Sequence, residues 1–124
     1  EHGLIELNLA KINATDKKLL QSIYELVIKN ISKQDFSVEH LAEMINISRS
    51  VMHKKIVSLM GETPGELIRR VRINKAAELI EKRFGNLSEI SLEVGFNNPA
   101  YFSEAFKKQF GVTPSQYQHK FSNS

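Results

Sequence analysis

One long internal repeat constrains the fold of this chain more than any other feature. The stretch 41–67 returns as 90–117, with the order of its apolar, glycine and proline positions preserved. The pairs separated by 49 residues are Leu41 and Ile90, Ile45 and Val94, Asn46 and Gly95, and Ile47 and Phe96. The pairs separated by 50 residues are Val51 and Tyr101, Met52 and Phe102, Ile56 and Phe106, Met60 and Phe110, Gly61 and Gly111, Thr63 and Thr113, and Pro64 and Pro114. Such a repeat indicates one supersecondary module built twice, so we predict a function exerted at two places.

Composition limits the class of protein. With 124 residues and 41% hydrophobic content, the chain can form one domain, or two small ones that share a bridging element. The absence of cysteine excludes disulfides, thiolate zinc sites and thiol catalysis. No apolar run approaches the roughly 18 residues of a membrane span, and no signal peptide follows Glu1. We therefore expect a cytoplasmic chain without membrane contact of its own, excised from a longer protein.

Positive charge is concentrated in the repeated part of the chain. Residues 1–47 hold five Lys and seven acidic residues, a balance of −2, whereas residues 48–124 hold twelve Lys or Arg and seven acidic residues, a balance of +5. This bias favours a polyanionic partner. The alternative is a solvated helix surface, which is the more common reason for a run of charges.

Short amphipathic helices account for most of the sequence. Residues 1–14 show no clear period and are predicted to be a linker or tail. A first helix is predicted from Asp16, with Thr15 or Asp16 as its cap, because apolar residues then recur at helical spacing. These residues are Leu20, Ile23, Tyr24, Val27 and Ile31. We interpret this element as a packing helix that contacts no ligand.

Each copy of the repeat predicts two short helices joined by a tight turn. In the first copy, Ser37 caps a helix that stops near Asn46, and a second helix starts after Ser48. The matching signals of the second copy are Asn86 as a cap with Glu89 as its reciprocal partner, Gly95 as the turn residue, and Asn98 as a cap before Pro99. This is a helix-turn-helix pattern, which we place at 37–60 and 87–111.

The sequence Gly-x-Thr-Pro follows each copy, at 61–64 and 111–114. Each time, glycine ends one helix, threonine caps the next, proline takes its first position, and Glu66 or Gln116 completes a capping box. Between the copies, residues 64–83 predict one continuous helix, and about 18 helical residues there span about 27 Å. Neighbouring major-groove faces of DNA are about 34 Å apart. The linker helix and the breadth of the two modules therefore suit recognition helices in successive major grooves.

Taken in order, these motifs resemble the AraC/XylS-type DNA-binding domain over about residues 34–120. The motifs are Leu41-Ala42, Ser48-Arg49, Gly61-x-Thr63-Pro64, Arg72-Ile73-x-x-Ala76, Ile90, Val94-Gly95-Phe96, Tyr101-Phe102-Ser103, Phe106-Lys107-Lys108 and Gly111-x-Thr113-Pro114-x-x-Tyr117. The resemblance implies an all-α, seven-helix domain of two helix-turn-helix subdomains joined by a long linker helix, which we assign to residues 15–121. Residues 16–36 resemble the segment that precedes this domain in bacterial hybrid two-component regulators, in which a membrane-anchored sensor kinase shares the polypeptide.

In the first recognition helix, the resemblance implies base contacts at Ser50, His53 and Lys54. Lys donates to guanine O6 and N7, Ser is short and undiscriminating, and His donates or accepts according to its tautomer. For His53 the alternative is an ordinary surface histidine. Arg49 and Lys55 are expected to meet phosphates. The side chains expected to face the core are Val51, Met52 and Ile56.

The second recognition helix differs in its chemistry. Its predicted base-contacting residues are Asn97, Asn98, Pro99, Ala100, Ser103 and Glu104. Asparagine suits adenine, Ala100 suits a thymine methyl group, and Glu104 accepts from cytosine N4. The resemblance departs at Glu104, because many family members carry a basic residue at that position. A purely capping role is the alternative for Asn98.

Phosphate contacts are expected from cations and from helix N-termini, where free N–H groups and the helix dipole favour anions. The predicted set is Ser37, Arg49, Lys55, Thr63, Asn86, Lys107 and Lys108, and Thr113 marks one further helix end. For Lys107 and Lys108 the alternative is simple solvation. The resemblance implies that Arg72 of the linker helix is at least partly structural and braces the two halves.

The sequence therefore predicts sequence-specific binding of double-stranded DNA to regulate transcription, as the output domain of a larger sensory regulator, with RNA polymerase as a second candidate partner. The alternative hypothesis is a helical adaptor that docks polymerase or a partner regulator and has little affinity for DNA. The four histidines lack metal-ligand spacing and no phosphate loop or nucleophile elbow occurs, so no catalysis, metal or cofactor is predicted. We expect this fragment to be monomeric because its bivalence is internal, with any dimerisation of the full-length protein located upstream.

Overall fold

The computed structural model describes residues 13–122, and all regular structure within that range is α-helical. Its helices are α1 (Ala14–Asn30), α2 (Val38–Ile45), α3 (Arg49–Met60), α4 (Pro64–Glu81), α5 (Leu87–Glu93), α6 (Pro99–Phe110) and α7 (Pro114–Ser122). The predicted all-α, seven-helix fold is confirmed. Most of the predicted linker or tail, 1–14, lies outside the described residues.

Helix α1 begins at Ala14, earlier than the predicted start at Asp16. The reason is Asn13, whose extended backbone and side chain form the N-cap, with the side-chain oxygen accepting a hydrogen bond from the Asp16 backbone N–H at 2.8 Å. Asn is among the strongest N-cap residues. The prediction of Thr15 or Asp16 as the cap was therefore wrong, and Ala14 is part of the helix and not of the linker.

Helix α4 is shared by two separate hydrophobic cores. Its N-terminal half contributes Leu67, Ile68 and Val71 to a core formed with α1, α2 and α3. Its C-terminal half contributes Ile73, Ala76, Ala77, Leu79 and Ile80 to a core formed with α5, α6 and α7. The helix has 18 residues, so it is about 27 Å long. It ends at Glu81, before the predicted boundary at residue 83, because Arg83 adopts a left-handed conformation with φ of 54°.

Aromatic rings build much of the second core. Phe102 and Phe106 lie 6.1 Å apart between ring centroids, and Phe106 stacks on Phe110 at 4.8 Å. Tyr117 of α7 packs edge-on against Phe106 at 5.4 Å. Such pairs contribute about 0.5–1.5 kcal/mol each beyond the burial of their area. The rings therefore fix α7 to the second helix-turn-helix.

The two halves meet at Arg72 of α4 and Gly95 of the α5–α6 turn. The Arg72 guanidinium donates from Nη2 to the carbonyl oxygens of Lys33 at 3.1 Å and Phe36 at 3.4 Å, which both belong to the loop between α1 and α2. Gly95 has φ of 90° and lies so close to this loop that a Cβ atom would stand 2.1 Å from the Ile31 carbonyl oxygen. Arg72 and Gly95 thus hold the second half against the end of α1.

Candidate nucleic-acid interface

Helices α2 and α3 form the first helix-turn-helix. Asn46 ends α2 in the left-handed conformation, with φ of 64°. Ser48 then takes an extended conformation and caps α3, its side chain accepting from the Val51 backbone N–H at 3.1 Å. Asn tolerates the left-handed region and Ser is a preferred N-cap, so local chemistry alone accounts for the turn.

The exposed face of α3 is centred on Lys54. Met52 and Ile56 are fully buried, one turn apart, and they orient the helix on the first core. The predicted base-contacting residues Ser50, His53 and Lys54 are all exposed. The structure thus leaves this predicted set accessible to a ligand.

Val51 lies on the exposed surface of α3, so the prediction that it faces the core was wrong. Its side chain is 48% exposed. Successive residues of an α-helix are rotated by about 100°, since one turn contains 3.6 residues. Val51 precedes the buried Met52 by one position and therefore points to the flank of the helix. The apolar type of Val51, next to a buried residue, suggested a core position that the rotation of the helix does not give it.

Two of the three cations on α3 are paired with carboxylates of the preceding helices. Arg49 Nη1 lies 2.5 Å from Glu39 Oε1 of α2, and both side chains are largely exposed. Lys55 Nζ lies 3.0 Å from Asp16 Oδ1 of α1. The backbone N–H of Glu39 itself and the Ser37 side chain lower the pKa of Glu39 through hydrogen bonds, and the charge of Arg49 adds to this shift. Within residues 13–122 no ion pair involves Lys54, which leaves its ammonium group available to a base edge.

Helices α5 and α6 form the second helix-turn-helix with the same parts. Asn86 and Glu89 form the predicted capping box at the start of α5. Asn98 caps α6 by accepting from the Tyr101 backbone N–H at 3.0 Å, and Pro99 occupies the first turn. The capping role of Asn98 is confirmed, and its contact with a base stays a prediction.

The exposed surface at the start of α6 includes the whole predicted base-contacting set. These residues are Asn97, Asn98, Pro99, Ala100, Ser103 and Glu104. Tyr101 is also 46% exposed, but it is held from two sides. Its ring packs edge-on against Phe96 at 5.6 Å, and its hydroxyl accepts from Arg69 Nη1 at 3.5 Å. Tyr101 therefore joins α6 to α4 as well as facing solvent.

A carboxylate already occupies each of the three helix ends at which phosphate contact was predicted. Thr63 and Asn86 form reciprocal capping boxes with Glu66 and Glu89. The Thr63 backbone N–H and side chain lower the pKa of Glu66. At the start of α2, Glu39 lies beside Ser37, which is the N-cap. These carboxylates oppose a nearby phosphate, so the cations Lys107 and Lys108, both exposed on α6, are the less obstructed candidates.

The start of α7 differs from these three ends. Thr113 accepts from the Gln116 backbone N–H at 3.1 Å, and the Gln116 side chain accepts from the Thr113 backbone N–H at 2.9 Å. This capping box is uncharged, and the first turn of α7 contains no acidic residue. The α7 end shares this lack of an acidic first turn with the capped ends of α3 and α6.

Two further findings concern residues 13–122 alone. This part of the chain contains no group of three or more His, Asp or Glu side chains that could hold a metal ion. None of its helices combines the length and the apolar character that crossing a membrane requires.

The duplicated helix-turn-helix architecture matches known proteins. A family profile described as a helix-turn-helix domain matches residues 41–120. A solved transcriptional regulator from Chromobacterium violaceum, described as a protein containing an AraC-type DNA-binding domain, has the same fold, with a TM-score of 0.80 at 23% identity over 89% of this chain and 97% of that one. The chain belongs to the AraC-type helix-turn-helix family. The resemblance predicted from its motifs is confirmed.

Two other relatives of this AraC-type domain come from signalling proteins. The protein named histidine kinase P4 of Formosa agariphila is 38% identical over 111 residues, which cover 90% of this chain and 8% of that protein. The C-terminal domain of the response regulator AraT from Geobacillus stearothermophilus is 30% identical, with a TM-score of 0.76 over 89% of this chain and 88% of that one. The chain spans between 8% and 37% of the length of the first curated relatives it matches.

Proposed function

We propose that this AraC-type domain binds duplex DNA sequence-specifically to regulate transcription, with α3 and α6 in successive major grooves. The observation that carries the proposal is the pair of equivalent helix-turn-helix units, each with an exposed second helix, built on the single helix α4. One recognition helix fills one major groove, so two such helices on one support suit two neighbouring grooves.

The junction between the halves supports a fixed spacing of the two recognition helices. Arg72 and Gly95 hold the second half against the α1–α2 loop, and α4 belongs to both cores. A helix of about 27 Å, together with the breadth of the modules beside it, suits the groove repeat of about 34 Å. The protein then loses little conformational freedom on binding DNA, because its two recognition helices already have fixed positions.

Lys54 is the leading candidate for base recognition in the first half-site. It lies at the centre of the exposed face of α3, and no intramolecular ion pair within the described residues competes for it. Lysine donates to O6 and N7 of guanine. Ser50 and His53 lie next to Lys54 on α3 and are assigned to the neighbouring base pairs.

In the second half-site the proposed base-reading residues are Asn97, Asn98, Pro99, Ala100, Ser103 and Glu104. Phosphate contacts are assigned to Arg49, Lys55, Lys107 and Lys108, and to the helix ends at Ser37, Thr63 and Asn86. Arg49 and Lys55 first have to exchange a carboxylate partner for a phosphate. The loss of each ion pair reduces what the new phosphate contact contributes to the free energy of binding.

For the full-length protein we propose a hybrid two-component regulator. The support is the likeness to a protein named a histidine kinase and to the output end of a response regulator. In this arrangement the kinase chemistry, the anchoring in a membrane and any dimerisation belong to upstream parts of the polypeptide, and contact with RNA polymerase accompanies DNA binding. The domain itself supplies recognition and no catalysis.

The experiment that tests the DNA function is selection of bound duplexes from a random pool, followed by footprinting of the recovered sequence. We expect protection of two adjacent major grooves on one side of the duplex. Lys54→Ala should lower discrimination between bases at one base pair by about 1–3 kcal/mol. Lys107→Ala should weaken binding to all sequences alike and reduce the slope of log K against log salt concentration by about one. A domain without sequence preference and without steep salt dependence would instead support the adaptor hypothesis.

A further inference from the structure

Val51 is an exposed apolar side chain in the first two turns of α3, whose other exposed residues are polar. It is 48% exposed and belongs to the first turn of α3, next to Ser50 and two positions after Arg49. Residues three and four positions apart are neighbours on a helix surface. Val51 is therefore a neighbour of Lys54, as Ser50 is. Together, Ser50 and Val51 lie one turn before Lys54 and flank it on either side.

This placement makes Val51 more central to the exposed face of α3 than His53. The buried residues Met52 and Ile56 define the inner side of the helix, and Lys54 lies opposite them. At about 100° per residue, Val51 is about 60° from Lys54 around the helix axis, whereas His53 is about 100° away. A ligand that reaches Lys54 along the first two turns of α3 also covers Val51.

The equivalent residue of the second copy has a structural role that an aliphatic valine cannot take in the same way. Tyr101 matches Val51 in the repeat and is exposed to a similar extent, 46%. Tyr101 nevertheless packs against Phe96 and accepts a hydrogen bond from Arg69, so it has a structural role. Val51 belongs to neither hydrophobic core.

We infer that Val51 reads the 5-methyl group of a thymine in the first half-site. The inference rests on the proposed function. In the major groove, thymine differs from every other base by this methyl group, and apolar side chains recognise it by contact. The two methyl groups of Val51 offer such a contact beside the ammonium group of Lys54. The first module thus recognises a guanine through Lys54 and an adjacent thymine through Val51.

The test is a double-mutant cycle between the protein and its selected DNA site. Each thymine of the first half-site is replaced, one at a time, by deoxyuridine, which lacks only the methyl group. Dissociation constants are measured for the wild-type domain and for Val51→Ala. Burial of one methyl group contributes enough to change affinity by about fourfold. We expect one thymine at which deoxyuridine weakens the wild-type complex about fourfold and leaves the Val51→Ala complex unchanged.

Val57→Ala provides the matched control. Val57 is 40% exposed on the same helix, but it lies beyond the first two turns, which approach the bases. We expect this variant to retain the full wild-type sensitivity to deoxyuridine. Circular dichroism of both variants verifies that α3 is intact.

The outcomes separate this inference from the proposed function. A selected half-site without thymine, or equal effects of deoxyuridine on the wild-type and Val51→Ala complexes at every position, would overturn the role of Val51 and leave DNA binding standing. A selection that recovers no preferred duplex would overturn the proposed function and the inference with it.

Discussion

Lys55 of α3 and Asp16 of α1 form an ion pair of 3.0 Å that joins the first recognition helix to the first helix of the chain. The Asp16 carboxylate is only 14% exposed, whereas the Lys55 side chain is 46% exposed. A partly exposed pair of this kind contributes at most about 1 kcal/mol to stability. Its larger effect is electrostatic, because it neutralises a cation at the edge of the proposed DNA-binding surface.

Asp16→Asn should therefore strengthen binding to DNA of any sequence. The substitution keeps a side chain of the same shape, removes the carboxylate and leaves Lys55 available to a phosphate. We expect the slope of log K against log salt concentration to become steeper by about one. Fluorescence anisotropy with a non-specific duplex over a series of salt concentrations measures this slope. Glu25→Gln, which makes the same charge change at an exposed position of α1, should leave the slope closer to that of the wild type.

Gly95→Ala should destabilise the domain strongly. The new Cβ atom would stand 2.1 Å from the Ile31 carbonyl oxygen and 3.0 Å from Arg72, so the two halves would have to separate. We expect a loss of about 3 kcal/mol or more in the free energy of unfolding, measured by urea denaturation. Gly61→Ala is the matched control, because Gly61 also has a positive φ, 71°, but a methyl group added there would meet no atom within 4 Å. Its loss should be about 1–2 kcal/mol, from backbone strain alone. Equal losses in the two variants would contradict the proposed close contact.

Local chemistry explains why much of this fold was predictable. The capping boxes at Thr63 and Asn86 and the left-handed turn at Asn46 depend on residues within three or four positions of one another. The repeat then supplied independent evidence for the helices of its two copies, α2 and α3 in the first and α5 and α6 in the second. The start of α1 was harder to predict because Asn13, Thr15 and Asp16 are all good caps, and the residue type alone does not distinguish between them.

Contacts between distant parts of the chain were also harder to predict. Asp16 and Lys55 are 39 residues apart, and only the packing of α1 and α3 into one core brings them together. The outward position of Val51 depends on the rotation of α3 about its axis, which the apolar pattern defined only to within one residue. The base and phosphate contacts stay predictions, since they concern a second molecule.

Glu104→Ala should change the base preference of the second half-site at one position. Glu104 is exposed on α6, where it is assigned to accept a hydrogen bond from cytosine N4. We expect discrimination in favour of cytosine at that base pair to fall by about 1–3 kcal/mol, measured by competition between duplexes with single base-pair changes. A uniform increase in affinity for all duplexes would instead show that the carboxylate only repels phosphates.

The stability of the domain should decrease at high pH through Tyr117. Burial, together with a hydrogen bond from the Tyr117 hydroxyl to Glu81, raises the pKa of this tyrosine to about 12 from its ordinary value of 10.0. The folded state therefore holds the proton more tightly than the unfolded state does. The stabilisation is complete below about pH 10 and is lost as the pH rises towards 12.

Tyr117→Phe tests this effect, because phenylalanine keeps the ring contacts with Phe106 and Phe110 and lacks the titrating hydroxyl. The free energy of unfolding, measured with urea between about pH 9 and about pH 11.5, should decrease less steeply with pH in the variant than in the wild type. Parallel curves would assign the alkaline loss of stability to other groups.

The sharing of α4 by both cores has a consequence for how such a domain evolves. The buried residues of this helix are constrained twice over, since a substitution that disturbs one core shifts the helix that also supports the other. The outward residues of α3 and α6 are not constrained in this way. Those of one recognition helix can change while those of the other stay the same. New operator sequences can therefore be acquired one half-site at a time, on a framework that is itself slow to change.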